Sequence, residues 1–120
     1  MGRHEDILRK LAIRDDLFVE SILADEERNL AESCLDPKTH ALVRIGALIG
    51  VDAATAAFAW STDAGLRDGA TLEEVVGTLV AVIPAVGTGR VVAAAPRLGL
   101  AVGYDVWGAL EQRHSSGSGH

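Results

Sequence analysis

The chain has one cysteine, Cys34, so no disulfide can form within it and packing alone must hold the fold. An unpartnered thiol suits a reducing compartment, and we expect a cytoplasmic protein. Aromatic residues make up only 4% of the 120 residues, so the core must be built from small aliphatics that let helices approach closely. Basic residues are also few: 11 Lys and Arg against 17 Asp and Glu leave a net charge of −6. That balance argues against a nucleic-acid partner, which needs clustered cations, and mostly aids solubility. The longest uncharged run, Val75 to Gly89, falls short of the ~18–20 residues a membrane helix needs, and Gly77, Pro84 and Gly87 interrupt it. No basic segment followed by an apolar one opens the chain, so no secretory signal and no membrane partner are expected. Alternating strand patterns and solenoid repeats are absent as well. No motif for a metal or an organic cofactor is read.

What is present is helix punctuation. Asp36 before Pro37 suits a helix start, because Asp can accept from a free first-turn N–H and Pro at the first position loses no bond it needed. Leu42, Ile45, Leu48 and Ile49 follow at helical spacing. Asp52 is expected to cap the next helix in the same way, and Gly69 to end it in a left-handed conformation. Thr71-Leu72-Glu73-Glu74 reads as a capping box. Gly87-Thr88-Gly89 breaks the pattern before an apolar helix from about Arg90 to Val102, which Pro96 is expected to kink or split. Gly103 ends that helix, and Tyr104-Asp105 begins a last one carrying Val106, Trp107 and Leu110. The fold class is therefore all-α. Residues 1–34 read as an N-terminal helical arm and 35–113 as the helical core. Residues 114–120, His114 to His120, read as an appended expression tail.

The helix opening at Leu72 carries Val75, Val76, Leu79, Val82 and Ile83 on one side and Gly77, Thr78, Val80 and Ala81 on the other. A helix apolar all round must be buried all round. The helices near 41–51 and 90–102 are almost as apolar, and one small core does not hide three such helices. At ~25 cal/mol per Å² of apolar surface, burying the surplus between copies is favourable, so a homo-oligomer is expected.

The order L-D-P-K-T-x-A-L-V-R from Leu35, then small residues, then A-G-L-R-D-G-A-T-L-E-E-V-V from Ala64, resembles the carboxymuconolactone decarboxylase and alkylhydroperoxidase D-like family. The likeness covers Leu35 to about Gly103. It implies an alkylhydroperoxidase D-like helical bundle, assembled as a trimer or hexamer. In the redox branch it also implies a Glu, Cys-x-x-Cys and His relay that reduces peroxides. Carried over position by position, the family histidine falls on Ser61, the cysteines on Ala54 and Ala57, and the glutamate near Ala41 or Leu42. A peroxidatic site needs a thiolate and a base, and alanine supplies neither. The resemblance thus implies a family protein without the usual thiol peroxidase site, acting on or binding a small organic acid or lactone.

Three residues are candidates for that site: His40 as acid or base, Arg44 one turn on as a clamp for an anionic ligand, and Ser61. Against them stand a structural salt bridge for Arg44, a hydroxyl bonded to its own helix for Ser61, and a seam of small residues for Ala54 and Ala57. Arg90 at a helix start reads as an anion holder or an interface salt bridge. Two alternatives accompany the enzyme reading: a catalytically silent oligomeric binding or scaffold protein, and a residual peroxidase acting through Cys34.

Overall fold

A computed structural model describes the backbone of residues 2–118 and the side chains of residues 2–113. Among the described residues the chain is eight helices and no strand, so it is all-α. It divides into two compact units, Met1–Asp36 and Pro37–His120.

The first unit holds α1 (Arg3–Ala12), α2 (Asp16–Ala24) and α3 (Glu26–Ser33), with α2 packed on both others. Charge patterning supports α1: Asp6 pairs with Arg9 and Lys10, three and four residues on. The Lys10 ammonium, then Arg9, holds the Asp6 carboxyl below its usual range. Arg14 takes a left-handed conformation between α1 and α2, and the Asp15 carboxylate then accepts from the Phe18 N–H to cap α2. Asp25 caps α3 by accepting from the Glu27 and Arg28 N–H groups. Arg3 ties the ends of the unit together, donating to the Ala31 carbonyl at 2.7 Å. Phe18 is buried, with the Lys10 ammonium 5.2 Å from its ring centre.

The second unit packs α4 (Pro37–Gly50), α5 (Thr55–Arg67), α6 (Leu72–Val86) and α7 (Thr88–Ala101) around one core, with α8 (Val106–Ser118) against α7. Helix α4 lies beside α5 and α6, and α7 packs on the same two and also touches α4. Ile45 and Ile49 of α4, Phe58 of α5, Val75 and Leu79 of α6, and Leu98 of α7 fill the space between them. Small residues set the spacing. A methyl at Gly65 would lie 3.5 Å from the Ala41 methyl, so α4 and α5 touch almost backbone to backbone. Gly46 and Gly50 sit in the same way beneath Val82 and Val86 of α6, at 3.3 Å for an added Cβ.

Several boundaries fall where the sequence signals them. Helix α4 begins at Pro37, and Gly69 follows α5 with φ +97°. The capping box is complete: the Glu74 N–H donates to the Thr71 hydroxyl at 3.0 Å, and the Thr71 N–H donates to the Glu74 carboxylate at 2.9 Å. Gly87 and Gly103, at φ +90° and +85°, turn the chain after α6 and α7.

Two expectations are corrected. Pro96 does not split its helix, since α7 runs continuously from Thr88 to Ala101. The carbonyl its missing N–H leaves unbonded belongs to Val92, an exposed residue, so water can take that bond. Asp52 does not cap α5 either. The residue before that helix is Ala54, whose side chain makes no capping bond, and Asp52 lies in the turn with φ 58°.

Candidate functional site

His40 and Arg44 lie one turn apart on α4, both half-buried, on either side of the Ala41 that meets Gly65. Neither is without a partner, as a half-buried guanidinium requires. Ser61 is half-buried on α5, the helix that packs along α4. The three candidates therefore stand on adjoining helices. Ala54, Ala57 and Ser61 share one side of α5 and its first turn, and Ala54 is exposed. The positions where the resemblance sets a thiol pair and its base thus carry two methyl groups and a hydroxyl.

Neither of two cavities in the chain is lined by these residues. One, of about 140 Å³, lies within the first unit among Ile7, Leu11, Phe18 and Ile22. The other is an open groove of about 510 Å³ along α4 and α6. Its walls are Leu42, Val43 and Gly46 on one helix and Gly77, Ala81 and Val82 on the other, with Thr39, Thr78 and Glu74 as its polar groups. Gly77 leaves its side of the groove open, since a Cβ there would meet nothing within 4 Å. Its one ionisable group is a carboxylate, which disfavours an anion. Glu74 is engaged by the Lys38 ammonium at 2.8 Å, and that bond, followed by the one from the Thr71 N–H, holds its carboxyl below the usual range.

A charge cluster missed in the sequence lies at the α4–α5 turn. Arg97 of α7 donates to the Asp52 carboxylate at 2.8 Å and to the Ala53 carbonyl at 3.0 Å. Arg90 stands 3.6 Å from the other carboxylate oxygen. Arg90 is thus paired within its own chain, a partner that the sequence reading did not name. No sequence pattern links Asp52 to Arg97, because the pair is 45 residues apart and is made only by packing.

Cys34 is exposed and ends α3 in a left-handed conformation, φ 59°. Its thiol lies 3.7 Å from the Glu32 carbonyl oxygen, an acceptor that is not a base. On α5, Thr62 is almost wholly buried, and its hydroxyl has no hydrogen-bond partner among the described residues. Thr78 on α6 differs, since it donates to the Glu74 carbonyl one turn back.

Comparison of the chain with protein-family models, curated proteins and solved structures finds no match.

Proposed function

We propose that this chain is a homo-oligomeric helical protein of the carboxymuconolactone decarboxylase and alkylhydroperoxidase D-like type, without a thiol peroxidase site and working as a binding or scaffold module. One observation carries the reading. The chain leaves aliphatic side chains exposed on α4, α6 and α7 alike, among them Val43, Val76, Val80, Val92 and Leu100. Where such side chains form a patch, they mark an interaction site on a folded protein. Loss of the thiol pair fits the same reading, because Ala54, Ala57 and Ser61 offer neither nucleophile nor base. The test is peroxide consumption by wild type and Cys34→Ser under reducing conditions. Equal background rates in both are expected, and brisk turnover by wild type contradicts the proposal.

A second reading gives the α4–α5 side a small organic acid or lactone, clamped by Arg44, with His40 and Ser61 beside it. Its support is the placement of two half-buried basic residues one turn apart on a helix that abuts α5. Arg44→Gln is expected to abolish any stabilisation of the protein by small carboxylic acids in a thermal-shift titration. The reading fails if wild type shows none.

A further inference from the structure

We draw no further inference here: the strongest candidate, the open apolar groove between α4 and α6 walled by Leu42, Val43, Ala81 and Val82, carries nothing because its carboxylate, Glu74, is already held by Lys38 and nothing in the structure shows what covers it.

Discussion

Two threonines on neighbouring helices show how the fate of one hydroxyl sets its energetic sign. Thr71 supplies half of a reciprocal cap, and Thr71→Ala should cost about 1 kcal/mol in chemical denaturation, as capping residues do. Thr62 buries an oxygen that no described group meets, and an unsatisfied buried hydroxyl is costly. Thr62→Val, which keeps the shape and removes the oxygen, should raise stability by about 1 kcal/mol. A loss of stability would show that the hydroxyl is bonded after all. Glu74 gives a pH-dependent case. Lys38 and the Thr71 N–H hold its folded carboxyl below the ordinary value of 4.5, so its contribution is fully present above that value and disappears as the pH falls through the folded one. The stability gap between wild type and Glu74→Gln should therefore be widest near neutral pH and close in acid. The capping box was legible in the sequence because all of its parts lie within four residues. Thr62 was not, since burial is decided by helices that the local sequence does not contain.

At the scale of elements, stops and starts were legible wherever one residue type does the work. Pro37 opens α4, and Gly69, Gly87 and Gly103 turn the chain at positive φ, a conformation that only glycine adopts without strain. What the pattern could not show was the use of Asp52. An Asp before a helical run reads as a cap, but here it turns left-handed and holds two arginines of α7. Asp52→Ala should cost more than a lost surface pair. It removes both ion pairs and puts a side chain with no turn-forming oxygen at φ 58°, so about 1–2 kcal/mol is expected from denaturation. The α7–α8 junction is tighter still. A Cβ at Gly99 would stand 2.8 Å from the Tyr104 carbonyl oxygen, which is backbone and cannot swing aside. Gly99→Ala should lose about 2 kcal/mol or more, whereas Gly77→Ala, which meets nothing within 4 Å, should leave the protomer's own stability nearly unchanged or improve it.

For the whole molecule, the all-α class follows from helical periodicity with no alternating runs, and the described residues hold helices alone. No helix among them is long and apolar enough to cross a membrane. The candidate site was less legible. His40, Arg44 and Ser61 lie on adjoining helices, yet the open groove along this core runs between α4 and α6, on walls the sequence reading took for buried packing. That groove is lined from both helices, Gly46 of α4 and Gly77 of α6 among its walls, so it depends on helix pairing and leaves no local trace. The excess of apolar helix surface could be read directly, because more aliphatic residues lie on α4, α6 and α7 than one layer of contacts can cover. Sedimentation equilibrium of the unmodified chain at micromolar concentration tests that claim most directly. The account predicts a stable multiple of the 12.6 kDa protomer. A single species at 12.6 kDa, unchanged as concentration rises, would contradict it.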